Sequence, residues 1–345
     1  IDTQSGNENK ILFERMITMA ITTEMVKELR GITSAGVSDC KNALVEADGD
    51  MEKAIEILRE KGLSKSAKKA SRIAAEGAVY AYADAAQKRG VIVEVNCETD
   101  FVANTDKFKA LCKQVAEQIL TVQPDYVRCE EAPEGYTGGK CLLRTALHTD
   151  PSKTVEDLIS DATVSIGEKI DIRRFVLYSY EKGKIDTYIH MGGKIGVMVQ
   201  FSCESDCADG CACKAGEFGT FAHDVAMHIA ASNPTYVRSS EVPQAEIDHE
   251  REILKAQAAN ENKPANIIEK MVDGRIKKFF GEICLLDQPF VKDPEVTVGA
   301  LMNELSKKLN DKIDVVRFVR YECGEGIEKR VNDLAAEVTA ATQGN

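Results

Sequence analysis

The stretch Gly90-Val-Ile-Val-Glu-Val-Asn-Cys-Glu-Thr-Asp100 occurs twice in this chain of 345 residues, and the duplication decides the fold. It returns as Gly196-Val-Met-Val-Gln-Phe-Ser-Cys-Glu-Ser-Asp206. Both versions have the length and the alternation of a β-strand. After each version, apolar residues recur at helical spacing: Phe108, Leu111, Val115 and Ile119 in the first, and Phe218, Phe221, Val225 and Ile229 in the second. A strand followed by a helix is therefore present twice.

A second pair of matching segments extends the repeat. Residues 141–178 align with residues 284–321 without a gap, and they share Cys-Leu-Leu, Asp-Pro, Lys-Ile-Asp and Arg-Phe-Val. The pattern predicts a strand, then a helix, then a second strand. The helix is expected to begin near Thr154 or Thr297, and the last strand to end at Tyr178 or Tyr321.

These repeats predict an α+β protein with a duplicated core. Core subdomain one, here called copy one, covers residues 77–181, and core subdomain two, copy two, covers residues 182–323. Each copy is expected to form a short, mainly antiparallel sheet against helices, with first strands at Ala78–Ala83 and Lys184–Met191. Features that both copies keep are expected to be scaffold. Features that only one copy has are candidates for function.

Residues 19–63 predict a three-helix unit that docks a partner. Apolar residues three and four apart predict its helices: Met25, Val26 and Leu29; Cys40, Ala43, Leu44 and Ala47; Met51, Ile55 and Leu58. Gly31 and Gly62 are expected to end the first and third helices. An unstructured extension, residues 1–18, precedes this unit, and a linker, residues 64–76, follows it.

Copy two carries an insertion between Val237 and Cys284. Two helical patterns, Glu246–Asn260 and Asn266–Phe279, are separated by a helix-breaking turn. We therefore expect an antiparallel, coiled-coil-like helical hairpin over residues 242–282. Its facing residues are expected to be Ile247, Ile253, Leu254 and Ala258 against Ile267, Met271 and Val272. Such a projection can form a homodimer, meet another protein or fold back on the parent domain.

The turn after the repeated strand differs between the copies. Copy one has Thr99-Asp-Phe-Val102, whereas copy two has Ser205-Asp-Cys-Ala208. Asp100 stands where an acidic residue commonly caps a helix. Phe101 has no aromatic counterpart, so it is either an ordinary core side chain or an exposed wedge. An aromatic side chain that protrudes from a rigid turn is typical of an interface anchor.

The cysteines allow two interpretations. Eleven cysteines scattered over a long chain favour reduced thiols over a disulfide scaffold. Four of them lie close together and could hold a zinc ion: Cys203, Cys207, Cys211 and Cys213. Their spacing differs from paired C-x2-C motifs, and Cys203 matches Cys97 of the first strand. A cysteine-rich loop without metal is the simpler interpretation.

Composition and motifs disfavour several classes of function. A formal charge of −12 argues against nucleic acid as the main ligand, because nucleic-acid binders need a basic face. No apolar run approaches the ~20 residues that cross a membrane. No motif of a nucleotide-binding loop, a serine hydrolase or a metalloprotease occurs. The sequence therefore predicts a cytoplasmic binding protein that is not an enzyme and has no cofactor.

From Met19 to about Ala340, the chain resembles the elongation factor Ts family. The resemblance is carried by Met25-Val-Lys-Glu-Leu-Arg30, Asp39-Cys-Lys41, Thr99-Asp-Phe-Val102, Ile229-Ala-Ala-Ser232, Gln288-Pro-Phe-Val291 and Gly324-Glu-Gly-Ile-Glu-Lys329. It implies a guanine-nucleotide exchange factor for the GTPase elongation factor Tu. Such a factor disturbs the magnesium and phosphate site of the GTPase and releases GDP during protein biosynthesis. It also implies that the three-helix unit is similar to ubiquitin-associated domains.

The resemblance also implies which residues bind the partner. Phe101 would wedge between helices of the GTPase, with Asp100 and Val102 beside it. Further contacts would come from Val37, Asp39 and Lys41, from Met227 and His228, and from a helix at about Asp333–Thr342 in a C-terminal helical module, residues 324–345. The chain departs from the family at Val37-Ser38, where larger side chains are common.

Two other functions remain open. The three-helix unit and the hairpin could bridge proteins in a chaperone-like or structural adaptor. The cysteine cluster could serve a metal-dependent redox protein. A pull-down separates exchange factor from adaptor, because one dominant GTPase favours the former and many clients favour the latter.

Overall fold

The structure, a computed structural model, describes residues 21–33, 35–134, 139–204, 212–259 and 265–328. The predictions for residues 1–18, for the C-terminal helix at 333–342, and for Cys207 and Cys211 lie outside these residues, as does the side chain of Cys213. None of the helices in the described ranges combines the length and the apolar composition needed to span a membrane.

The helices and strands of these ranges are numbered in chain order. They are α1 Thr23–Thr33, α2 Val37–Glu46, α3 Met51–Lys69, β1 Glu76–Asp84, β2 Arg89–Cys97, α4 Asp100–Ala103, α5 Asp106–Val122, α6 Val155–Ile166, β3 Asp171–Ser179, β4 Lys184–His190, β5 Ile195–Ser202, α7 Ala212–Ser232, α8 Gln244–Ala259, α9 Ala265–Ile283, β6 Pro289–Phe290, β7 Asp293–Thr297, α10 Val298–Leu309 and β8 Asp314–Glu322.

The duplicated α+β core is confirmed. In copy one the strand order is β1-β2-β3, in copy two it is β4-β5-β8, and both sheets are antiparallel throughout. β6 and β7 form a separate small hairpin. Helices α5 and α6 cover the first sheet, and α7 and α10 cover the second. The predicted helix starts are correct, since the Thr154 hydroxyl accepts from Asp157 N at 3.1 Å and the Thr297 hydroxyl from Ala300 N at 3.2 Å.

The strands expected at Cys141 and Cys284 do not form. Each residue makes a single parallel bridge, Cys141 to Tyr126 and Cys284 to Tyr236, and a short 3-10 turn follows at once. A short apolar run such as Cys-Leu-Leu does not distinguish a strand from a buried turn. The sequence pattern was therefore too short to predict this element.

The pairing at Cys141 also corrects the expectation of reduced thiols. Cys129 and Cys141 form a disulfide, with Cα atoms 5.2 Å apart. The bridge to Tyr126 brings residues 140–142 back beside residues 125–127, which places the two cysteines opposite each other. Four other cysteines of the described residues are buried free thiols: Cys40, Cys97, Cys112 and Cys284.

The three helices at residues 23–69 pack around a small core, as predicted. Its buried members are Leu29, Ala35, Cys40, Ala43, Leu44, Ala47, Ala54 and Leu58. Two expected helix ends are wrong, because α1 continues through Gly31 and α3 continues through Gly62. A glycine costs a helix only about 1 kcal/mol. For α3, contacts with copy one offset that cost, since Arg59 pairs with Asp157 at 2.9 Å and Lys69 Nζ donates to Thr163 O at 3.5 Å.

The hairpin of α8 and α9 is confirmed. Leu254, Val272 and Ile276 are its buried contacts, with Ile268 and Phe280 packed against them. Ile253 was expected in this interface, but 38% of it is exposed. Successive residues of a helix point about 100° apart, and Leu254, not Ile253, faces the second helix.

One apolar cluster joins the two copies. It contains Val79, Ile92, Tyr178, Ile185, Met198 and Tyr321. At its edges the Arg174 guanidinium lies 4.0 Å from the Tyr321 ring centroid, and Arg317 lies 3.9 Å from that of Tyr178. These two cation–π contacts cross from each copy to the other.

A buried carboxylate strengthens this junction. Glu94 of β2 is fully buried and accepts from Arg173 at 3.0 Å, Arg174 at 2.6 Å and Gly324 N at 2.8 Å. Burial alone would raise the pKa of Glu94, but the Gly324 amide and the two guanidinium groups hold it below its ordinary value. Gly324 has φ +75°, and a side chain there would collide with the carbonyl oxygen of Ala75. The chain after β8 is thereby held against copy one.

Candidate partner-binding site

The turn between β2 and α5 presents one aromatic side chain to solvent. Phe101 is 83% exposed, whereas its neighbour Val102 packs against the core and Ala103 is buried. Of the two alternatives for Phe101, the structure therefore shows the exposed one. We call residues 99–103 the Phe101 turn. An exposed aromatic ring is ready to bury apolar surface in a complex.

The Phe101 turn begins with a different cap than expected. The Thr99 hydroxyl accepts from Val102 N at 3.4 Å, so Thr99 is the N-cap of α4. Asp100 is the first residue of that helix, and its side chain is exposed. The expectation that Asp100 caps the helix is wrong. Thr99, one residue earlier, already has the extended backbone that an N-cap requires. The carboxylate of Asp100 is left facing solvent.

The residues before the turn are tied to copy one and to the linker. Glu98 accepts from Lys169 N at 2.7 Å and pairs with Arg72 at 3.2 Å. Burial, together with the charge of Glu168, raises the pKa of Cys97 to about 12, and its thiol donates to Thr99 O at 3.1 Å. The base of the Phe101 turn is therefore fixed while its tip is open.

A second strongly exposed apolar residue lies in the turn between β4 and β5, where the sequence predicted no site. Met191, in the turn between β4 and β5, is 72% exposed and has φ +48°, a conformation that L-residues rarely adopt. The same turn packs Gly193 against Ala78 of β1, and Lys194 pairs with Glu76. We call residues 190–194 the Met191 turn.

The hydrogen bond to Glu76 and, more weakly, the charge of Asp100 raise the pKa of Lys194. Comparison of the two copies could have found Met191, because alignment of Gly90 with Gly196 places Ala85 at the same position in copy one. A large apolar residue occurs there only in copy two.

The three-helix unit has a partly apolar exposed face on α2. Val37 is 54% exposed and Val45 is 38% exposed, with the exposed Lys41 between them at helical spacing. Asp39 is half-buried. Val37 and Lys41 are thus accessible as expected, and Val45 extends the same face.

His228 is placed differently from the expectation. Its side chain is fully buried: Nε2 lies 2.9 Å from Gln288 Oε1, and Nδ1 accepts from Val291 N at 3.2 Å. Burial lowers the pKa of His228, against the opposing effect of the Gln288 hydrogen bond. The ring is not accessible at the surface of the free chain. The imidazole instead holds Val291, which is 48% exposed, and Met227 is half-buried.

The cysteine cluster offers no site among the described residues. Cys203 is 6% exposed and belongs to the core of copy two, as its match with Cys97 suggested. Within the described ranges, no group of three His, Cys, Asp or Glu side chains could hold a metal ion. The side chains of the other three cysteines of the cluster lie outside the described part of the chain.

Comparison with known proteins agrees with the resemblance. The family model described as Elongation factor TS matches residues 98–325. Elongation factor Ts of Clostridium perfringens is 45% identical over 318 residues, which cover 92% of this chain and 98% of that protein. Elongation factor Ts of Trichlorobacter lovleyi is 45% identical over 323 residues, covering 94% and 99%. That of Symbiobacterium thermophilum is 46% identical over 319 residues, covering 92% and 97%. At this identity, and over nearly the full length of both chains, the protein belongs to the elongation factor Ts family.

Proposed function

We propose that this chain is the guanine-nucleotide exchange factor of elongation factor Tu. It binds the GDP-bound GTPase in the cytoplasm, disturbs the magnesium and phosphate site, and lets GDP leave during translation elongation. Family membership supports the choice of partner. The observation that carries the mechanism is Phe101, 83% exposed on a turn whose base is fixed. The chain makes and breaks no covalent bond, so it is not an enzyme.

The physical basis is linkage between two binding reactions. A factor that binds the nucleotide-free GTPase more tightly than the GDP-bound form must weaken GDP binding by the same factor. A coupling of about 1–3 kcal/mol corresponds to roughly 5–150-fold. The inserted Phe101 ring supplies this difference, because it fits only where the elements around the nucleotide have moved apart. Asp100 lies beside the ring, and Val102 anchors the turn in copy one.

Other surfaces supply affinity for both forms of the GTPase. The exposed face of α2, with Val37, Lys41 and Val45, docks the three-helix unit. The Met191 turn extends the surface beside Phe101. In copy two, Val291 contacts the GTPase, and His228 holds Val291 in place by accepting a hydrogen bond from its backbone N–H. This division assigns docking to residues 19–63 and the wedge to copy one.

The test is the release of a labelled GDP from purified elongation factor Tu. A stoichiometric excess of this protein should accelerate the release, and the rate should saturate with its concentration. No acceleration would refute the exchange function. A pull-down that recovers many unrelated clients instead of one GTPase would favour the chaperone-like adaptor.

A further inference from the structure

A carboxylate from another part of copy one lies directly beneath the Phe101 turn. Glu168 Oε2 accepts from Glu98 N at 3.1 Å and from Thr99 N at 3.0 Å, and Glu168 Oε1 accepts from the Thr99 hydroxyl at 2.6 Å. Gly167, with φ +92°, ends α6 and turns the chain so that Glu168 reaches this point. Three hydrogen bonds from one side chain therefore fix the two residues that precede Asp100.

Rigidity at this point matters for a wedge. Ordering a flexible residue costs backbone conformational entropy. If the turn were flexible, part of the binding free energy would be lost in ordering it, and less would remain to displace elements of the partner. A flexible turn could also change its own conformation on binding instead of displacing elements of the GTPase. The complex would then form while GDP stays bound.

We infer that Glu168 is a positioning residue for nucleotide exchange: it holds the Phe101 turn so that contact with the GTPase is converted into loss of GDP. This inference rests on the exchange function proposed above. It assigns Glu168 to the step in which GDP leaves the complex, not to the formation of the complex. Glu168 is half-buried beneath the turn, so the proposed role is to position the turn.

Copy two contains a matched control for this role. The gapless alignment of residues 141–178 with 284–321 pairs Glu168 with Asp311. Asp311 Oδ1 accepts from Glu204 N at 2.9 Å, which is the counterpart of the bond to Glu98 N. The sequence after Glu204 has a cysteine, Cys207, where copy one has Phe101. The same kind of carboxylate-to-backbone hydrogen bond thus precedes a segment whose sequence has no aromatic residue.

The experiment measures GDP release against factor concentration for the full-length protein and three variants. For Glu168→Ala, the maximal release rate should fall at least about tenfold, as expected from the loss of several hydrogen bonds. The half-saturating concentration should change less than about threefold, because the docking surfaces are untouched. Asp311→Ala should keep the maximal rate within about twofold. Glu168→Gln should lie in between, since its amide oxygen can still accept from both backbone N–H groups.

Three results would overturn the inference while the exchange function stands. They are an unchanged maximal rate for Glu168→Ala, an equal loss for Asp311→Ala, and a loss confined to the half-saturating concentration. If Glu168→Ala unfolds at the assay temperature, Glu168→Gln decides, because it keeps the length of the side chain and loses one carboxylate oxygen; an unchanged maximal rate for this variant would then overturn the inference. Failure of the unaltered protein to accelerate release would instead refute the exchange function and this inference with it.

Discussion

Truncation of Phe101 to alanine should impair exchange without affecting folding. Fully burying a Phe side chain is worth about 1.5–3 kcal/mol. Because 83% of Phe101 is exposed in the free chain, its burial against the partner should contribute about 1.2–2.5 kcal/mol. At about 1.4 kcal/mol per factor of ten, this corresponds to a loss of about 7- to 60-fold. The free energy of unfolding should change by less than about 0.5 kcal/mol, since little of the ring contacts its own chain.

The assay must separate binding from exchange. Affinities of the factor for GDP-bound and for nucleotide-free elongation factor Tu are measured together with the rate of GDP release. If the ring acts as a wedge, Phe101→Ala should weaken binding mainly to the nucleotide-free form, and the ratio of the two affinities should shrink. Val316→Ala, which truncates a 43% exposed valine on β8, is the control and should leave all three quantities unchanged. Equal weakening of both affinities would refute the wedge and leave Phe101 as an ordinary contact.

Three further outcomes follow from the buried groups. Burial lowers the pKa of His228, so below pH ~6.5 the unfolded chain binds more protons than the folded chain, and the stability of the fold should decrease. Thermal unfolding between pH 7.5 and 5.5 should therefore depend less on pH for His228→Gln than for the unaltered protein. Glu94→Gln should lower the free energy of unfolding by about 3–5 kcal/mol in denaturant titrations, whereas Gln200→Ala at the equivalent position of copy two should cost clearly less. Reduction of the Cys129–Cys141 disulfide should lower that free energy by up to about 3 kcal/mol, and melts of Cys129→Ser should not respond to the reductant.

Much of the fold could be predicted because its signals are local or repeated. The duplicated strands, the caps at Thr154 and Thr297, and the hairpin all rest on patterns within about twenty residues. The wrong predictions of helix ends and facing residues occurred where the local sequence signal was weak and tertiary contacts decided the structure. Gly62 did not end α3, because the helix gains contacts with copy one. Ile253 was expected to face the second helix of the hairpin, but its neighbour Leu254 takes that position and Ile253 is partly exposed.

The site was predicted in part. The difference between the copies singled out Phe101, but its exposure needed the fold, since a core position satisfied the pattern equally well. Met191 lies in the turn before the repeated strand, where only its difference from Ala85 of copy one distinguishes it. The resemblance implied a partner contact for His228, but its bonds to Gln288 and Val291, about sixty residues away in sequence, needed the fold.

The sequence by itself determined the α+β class, the duplication, the two helical additions and the family, because each is encoded by periodicity, caps or identity along the chain. Only the tertiary structure decided which side chains reach solvent and which are held inside. Glu94 meets Gly324, and Glu168 meets Thr99, only after distant strands and loops have packed together. The exposure and the polar partners of a side chain depend on residues that are far away in sequence. A sequence pattern does not contain the spatial distances between such residues.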